Sequence, residues 1–250
     1  MSGMRLWEAT GPHFFVAPAD VHGGEAVLRG DQARHLAVVL RARPGMAVSL
    51  ADGVGARFRA EVVAADPGEV RLAVLDREDV PPARPSLRVV HALPKGRKLD
   101  EVVEKLSEIG VDRLVPVHSA RSQVRLDPAK AAKAHARWEA VALAAAKQSR
   151  RVRPLRVDPV VEWAAAFDVT PGVVLYEEAD VALRARLQEI GAAAAADELV
   201  LAIGPEGGLT PEEVTACGLP AATLGPTILR TETAALAAAT ATLTLLGRFA

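Results

Sequence analysis

The chain has 250 residues, half of them hydrophobic and 24% charged, a composition that supports a packed core and excludes extended disorder. Its 30 Lys and Arg nearly balance 31 Asp and Glu, yet 17 of the basic and only 7 of the acidic residues lie between Arg84 and Arg156. No apolar run reaches the length of a membrane span, and the opening residues carry no signal-peptide core. The single cysteine, Cys217, excludes an intrachain disulfide framework and a cysteine-based zinc site, so the expected compartment is the cytoplasm.

Taken in order, residues 13–16 and 25–28 read as short strands. Asp31 reads as the N-cap of a helix over 32–41, with Leu36, Val39 and Leu40 at helical spacing and Pro44-Gly45 as the stop. Residues 47–50, the Asp52-Gly53 turn, a strand holding Phe58, Val62 and Val63, and the alternation of Val70, Leu72 and Val74 complete a small barrel-like unit over 1–79. Residues 80–85, with three prolines, form a stiff linker. From 86 to 250 the pattern alternates strands and helices, which predicts a mostly parallel α/β sheet. Strands are expected at 87–92, 113–117, 173–176, 199–203 and 222–224. Helices are expected at 98–109 (ended by Gly110), from Asp127-Pro128 to 148, from Asp158-Pro159, from the Thr210-Pro211-Glu212-Glu213 capping box, and over 232–246. The alanine-rich stretch 191–196 reads as a loop or a frayed helix end.

Two loops stand out. The first is Gly204-Pro205-Glu206-Gly207-Gly208, between an apolar strand ending at Ile203 and the capped helix. Its glycines allow backbone to approach a ligand, and Glu206 disfavours a phosphate and suits a cation. The second runs Leu224-Gly225-Pro226-Thr227-Ile228-Leu229-Arg230-Thr231-Glu232-Thr233-Ala234, again from strand to helix, with Thr231 as the expected cap and Arg230 and Glu232 beside it. Ligands of open α/β sheets bind at the carboxyl ends of strands. Taken alone, the first loop reads more simply as an ordinary turn, and Arg230–Glu232 as a local pair. The basic block fits either a polyanion footprint or solvated helix faces. The scattered histidines, His35 and His91 among them, fit packing or hydrogen bonding better than metal ligation. Trp7, Trp138 and Trp163 fit core or subunit contacts.

In combination the two loops resemble the C-terminal signature of the SPOUT methyltransferases, and within them the 16S ribosomal RNA uridine-N3 methyltransferase family (the RsmE type). Shorter pieces extend the resemblance over nearly the whole chain. Arg34-His35-Leu36, Val39-Leu40-Arg41, Pro44-Gly45 and Asp52-Gly53 are similar to the family's PUA-like domain. Lys95-Gly96-Arg97-Lys98, 105–111, Ser119-Ala120-Arg121-Ser122 and Arg137-Trp138 match its catalytic domain. Two departures concern RNA contact: about ten extra residues precede His13-Phe14-Phe15, and Lys147-Gln148 stands where the family has Glu-Gln.

The resemblance implies a SPOUT α/β domain with a trefoil knot behind a PUA-like β-barrel. It also implies an S-adenosylmethionine (SAM) site, a homodimer, and methylation of uridine N3 in 16S ribosomal RNA of the 30S subunit without a metal. A ribose 2′-O-methyltransferase and a non-catalytic assembly factor are the alternatives. By resemblance the cofactor contacts are Leu175 and Glu177; Ile203, Gly204, Pro205, Glu206, Gly207 and Gly208; and Leu224, Gly225, Ile228, Leu229, Arg230, Thr231, Thr233 and Ala234. Arg230 is the expected stabiliser of the uracil anion. Glu232 is expected to orient it or accept the proton, with a plain helix-start acid as the equal alternative. The expected RNA contacts are Arg34, Arg41, Lys95, Arg97, Arg121, Arg125, Lys147, Arg150, Arg151 and Arg153.

Overall fold

Alternating apolar residues in β5 (Ala56–Ala65) and β6 (Glu69–Asp79) turn Phe58, Val62, Val70 and Leu72 to one side, and the two strands pair antiparallel as the centre of a six-stranded sheet. The computed structural model describes residues 11–168, 171–193 and 196–249; the extra N-terminal residues with Trp7 lie outside that range, as do 194 and 195 in the alanine-rich stretch. The sheet also contains β1 (His13–Phe15), β2 (Val21–His22), β3 (Glu25–Arg29) and β4 (Ala47–Ala51), in the order β1-β4-β5-β6-β3-β2. Only β1 and β4 run parallel. Val62 is buried and its neighbour Val63 is 46% exposed, because successive side chains of a strand point to opposite faces; a register shift falls just beyond, between Val62 and Ala64.

The helix expected over 32–41 is shorter and wider. In helix α1 (Gly30–Arg34) Arg29 holds the N-cap position without a side-chain cap hydrogen bond, Asp31 lies inside the first turn rather than at the cap, and the helix continues as a π-helical turn over His35–Val39. Ala33 and Leu36 face the core, whereas Val38, Val39 and Leu40 are exposed, because the π turn breaks the 3.6-residue spacing.

The chain divides into two units, the first made of Met1–Pro82 with Ala146–Pro154. Within it, the basic segment 146–154 is fastened by its own polar groups. Arg150 donates to Gly11 O at 2.9 Å, and Arg153 donates to Val54 O at 2.9 Å and Val80 O at 2.7 Å. His13 Nε2 lies 3.3 Å from Arg151 O and Nδ1 lies 3.0 Å from Ser49 Oγ. Burial lowers the His13 pKa to about 4, so the ring is neutral and Nε2 carries the proton that the carbonyl accepts.

The second unit holds Ala83–Ala145 with Leu155–Ala250. Its strands are β7 (Ser86–Ala92), β8 (Arg113–His118), β9 (Arg156–Val157), β10 (Val161–Glu162), β11 (Gly172–Leu175), β12 (Glu198–Ile203) and β13 (Ala221–Ala222). All pair parallel, in the order β10-β8-β7-β12-β11-β13, with β9 beside β8. In β7 and β12 alternate residues enter two separate cores, Leu87, Val89, Leu199 and Leu201 on one face and Val90, Val200 and Ala202 on the other. Burial on both faces explains why these strands read as unbroken apolar runs.

Helices α2 (Lys98–Ile109), α3 (Pro128–Gln148), α5 (Pro211–Ala216) and α6 (Thr231–Leu245) begin within a residue of the sequence expectation. Gly110 closes α2 at φ +98°, accepting no side-chain penalty there. Two expectations need correction. Asp158-Pro159 starts no helix: the Asp158 carboxylate is taken by Arg113 and Arg156, and the chain continues as β10 and a 3-10 turn over Trp163–Ala166. Helix α4 (Leu183–Ala193) was not foreseen, although Leu183, Leu187 and Ile190 carry its spacing and pack into the core.

Candidate active site

Strands β12, β11 and β13 are neighbours, so Ile203, Leu175 and Ala222 bring three loops to one edge of the sheet. The chain steps one way from β11 to β12 and then crosses back over β11 to β13. Such a reversal opens a crevice at carboxyl ends. The three loops enclose a cavity of about 740 Å³. Leu175 and Glu177 form one side of it, and Ile203, Gly204, Pro205, Glu206 and Gly208 form a second. Leu224, Gly225, Ile228, Leu229, Arg230, Thr231 and Ala234 form a third. Tyr176, Leu209, Thr223, Pro226 and Thr227 also line it; they adjoin the expected residues, and adjacency was the signal available in the sequence. Gly207 is not among the lining residues and lies against Arg121, and Glu232 and Thr233 line a separate recess against α2.

The loops are tied to one another. Thr231 is the first residue of α6 and not its cap; its hydroxyl donates to Gly204 O at 2.6 Å and lies 3.3 Å from His91 Nε2. His91 is fully buried at the end of β7, and burial holds its pKa down; with Nδ1 2.7 Å from Ala92 O, the proton sits on Nδ1. Arg230 holds the cap position without a side-chain cap hydrogen bond, which leaves first-turn N–H groups of α6 for whatever enters the cavity. Its own guanidinium is exposed and has no ion pair or hydrogen bond among the described residues.

Glu206 accepts from Lys98 Nζ at 2.9 Å and from the Lys95 N–H at 3.2 Å. Burial alone raises its pKa, but these donors outweigh it and keep the carboxylate ionised. Gly208 sits at φ +72°, so the loop needs glycine for its backbone; a Cβ there would lie 2.6 Å from Glu177 Oε1 and displace that carboxylate. Arg121 donates to Gly207 O at 3.1 Å and Leu209 O at 3.2 Å, strapping the loop from behind. The capping box forms as expected, and Glu213 also accepts from the Ala120 N–H at 2.6 Å.

Arg34, Arg41, Lys95 and Arg97 have exposed side chains with no ion pair among the described residues. Arg125 pairs with Glu162 at 3.1 Å, and Lys147 is half-buried with its pKa pushed down by burial. Arg150, Arg151 and Arg153 belong to the fastened segment of the first unit. Among the described residues no group of three or more His, Cys, Asp and Glu is placed to hold a metal, and no helix is long and apolar enough to cross a membrane.

Residues 82–243 match the sequence profile of an RNA methyltransferase domain, and 28–75 that of an RNA methyltransferase PUA domain. Ribosomal RNA small subunit methyltransferase E of Mycobacterium bovis is 41% identical over 236 residues, 90% of this chain and 88% of the relative. The Bacillus subtilis protein of the same name is 32% identical, covering 86% and 88%. The crystal structure of a ribosomal RNA small subunit methyltransferase E from Neisseria gonorrhoeae bound to S-adenosyl methionine superposes at a TM-score of 0.81 with 30% identity, over 94% of this chain and 97% of that one. With the profile spanning well over half its length, the chain belongs to the RNA methyltransferase family typified by ribosomal RNA small subunit methyltransferase E.

Proposed function

We propose that the chain transfers the methyl group of SAM to N3 of a uridine in 16S ribosomal RNA of the small subunit, working in the cytoplasm as a homodimer with the SPOUT trefoil threading. The observation that carries the reading is the cavity at the carboxyl ends of β11, β12 and β13, walled by two glycine-rich loops and the open first turn of α6. Its volume suits a cofactor of nucleoside size. The uncapped turn offers N–H donors to a carboxylate, and backbone at Gly204–Gly208 and Leu224–Leu229 offers groups that read a purine edge. When bound, SAM supplies an electrophilic methyl on a sulfonium. The new bond joins that carbon to N3 as the carbon–sulfur bond breaks, with its electron pair returning to sulfur.

Uracil N3 must first lose its proton to solvent water, which makes the attacking base an anion. Arg230, exposed at the cavity and uncommitted, stabilises that anion in this reading. The rest of the rate comes from holding donor and acceptor in line at short distance. Arg34, Arg41, Lys95 and Arg97 supply phosphate contacts that position RNA without reading its sequence.

Labelled SAM is incubated with 30S subunits lacking the modification, and the product nucleoside is identified by mass spectrometry. The expected product is 3-methyluridine. A 2′-O-methylnucleoside overturns the base assignment, and RNA binding without transfer overturns the enzymatic reading.

A further inference from the structure

We propose that Lys98 and Glu232 are positioning residues that fasten the two cofactor loops to each other, and that Glu232 does not take the substrate proton. The inference rests on the cofactor reading above and concerns how this chain holds that site. Lys98 opens α2, and its Nζ lies 2.9 Å from Glu206 Oε1 and 3.5 Å from Glu232 Oε2. Glu206 belongs to the loop after β12, and Glu232 is the second residue of α6. One ammonium therefore joins the loop after β12 to the first turn of α6.

A second tie joins the same two segments. Thr231 donates to Gly204 O, so residues 204–206 and 231–232 are linked at one point by a hydroxyl and at another through Lys98. Two separated ties fix both the distance and the relative rotation of the loops, where one tie leaves a pivot. The Lys95 N–H donates to the same Glu206 carboxylate and adds the β7–α2 loop to the assembly.

The placement of Glu232 argues against a proton acceptor. Its side chain is 15% exposed and faces the recess formed with Val102, Lys105 and Leu106 of α2, whereas Arg230, Thr231 and Ala234 face the cavity. A general base must reach the proton it removes within hydrogen-bond distance or through one water. Glu232 is directed instead at Lys98: its buried Oε2 makes no hydrogen bond among the described residues, and the Lys98 ammonium 3.5 Å away is the charge that compensates it and draws the helix start toward the neighbouring loop.

The test compares the unmodified chain with Lys98→Met, Lys98→Arg, Glu232→Gln and the Lys98→Met/Glu232→Gln double variant. SAM affinity is read by calorimetry, kcat and KM by methyl transfer to 30S subunits, and folding by thermal melting without ligand. Because Lys98 is partly exposed, the expected rise in SAM Kd is roughly three- to fivefold for Lys98→Met and for Glu232→Gln, with kcat within about twofold. The double variant is expected to be no weaker than the worse single, since both break one tie. Lys98→Arg is expected to stay within about twofold of the unmodified chain, because a long cation still reaches both carboxylates. Glu232→Gln is expected to leave the pH–rate profile unchanged. An unaltered SAM Kd in Lys98→Met, additive losses in the double variant, or a collapse of kcat in Glu232→Gln with the acid limb of the profile gone and SAM Kd unchanged each overturns the proposal. Absence of SAM binding by the unmodified chain overturns the cofactor reading itself, an outcome separate from those three.

Discussion

Arg230 and Gly208 show how differently two residues of one cavity serve it. Arg230 contributes a charge with no structural partner among the described residues, so removing it leaves the fold unperturbed. Arg230→Ala is expected to lower kcat by roughly a hundredfold, the usual loss for a donor to a developing oxyanion or its equivalent, while melting temperature holds. Steady-state methyl transfer checks this, and an unchanged kcat removes Arg230 from the chemistry. Gly208 contributes shape. At φ +72° an alanine costs about 1 kcal/mol or more of backbone strain, and its Cβ meets Glu177. Gly208→Ala is expected to weaken SAM binding about tenfold by calorimetry, with kcat at saturating SAM little changed. The Gly-Pro-Glu-Gly-Gly loop was legible because glycine and proline announce a special backbone. What the sequence did not reveal is where the charges go. Arg121 reads as a phosphate contact, yet it spends its guanidinium on two carbonyls, and nearby Lys98 directs its ammonium at two carboxylates. Partner choice across such long stretches of chain is a tertiary fact that charge alone does not encode.

Elements were legible where the local signal and the tertiary demand agree. The α2 stripe and its Gly110 stop, the Thr210 capping box and the two-sided apolar strands all satisfy this condition. Asp158-Pro159 did not, because its carboxylate is drawn off by Arg113 and Arg156 before it can cap a helix. The π turn after α1 left no local signature. Fastening of 146–154 to β1 was equally hidden, and it carries a pH dependence. His13 has a folded pKa of about 4 against 6.5 for the free side chain. Between those values the unfolded chain binds a proton that the folded chain does not. The contribution is therefore complete above about pH 6.5 and is lost as pH falls toward 4, up to about 3 kcal/mol. Urea unfolding at pH 4.5 and 7.5 is expected to show a smaller loss of stability for His13→Gln than for the unmodified chain. Equal losses refute the assignment of that pH dependence to His13.

For the whole molecule, the arginines of the first unit separate into two populations that composition could not distinguish. Arg150 and Arg153 hold backbone carbonyls of the first unit, whereas Arg34 and Arg41 stand exposed on its surface beside Val38, Val39 and Leu40. Phosphate contacts release counterions, so each one steepens the dependence of RNA affinity on salt by about 0.7 to 0.9 in log–log slope. Arg34→Ala/Arg41→Ala is accordingly expected to flatten that slope by about 1.5 and leave the melting temperature alone. Arg153→Ala is expected to do the reverse. It removes the donor to Val54 O and Val80 O, lowering stability by about 0.5–1.5 kcal/mol because water can reach these carbonyls, with the slope held within one contact of the unmodified chain. Salt titrations of binding to 30S subunits, run beside thermal melts, read both quantities on the same proteins. If the double variant keeps the full slope, the exposed arginines of the first unit do not meet phosphate. The electrostatic footprint would then have to come from Lys95 and Arg97, which stand beside the cavity on the second unit and are testable by the same titration.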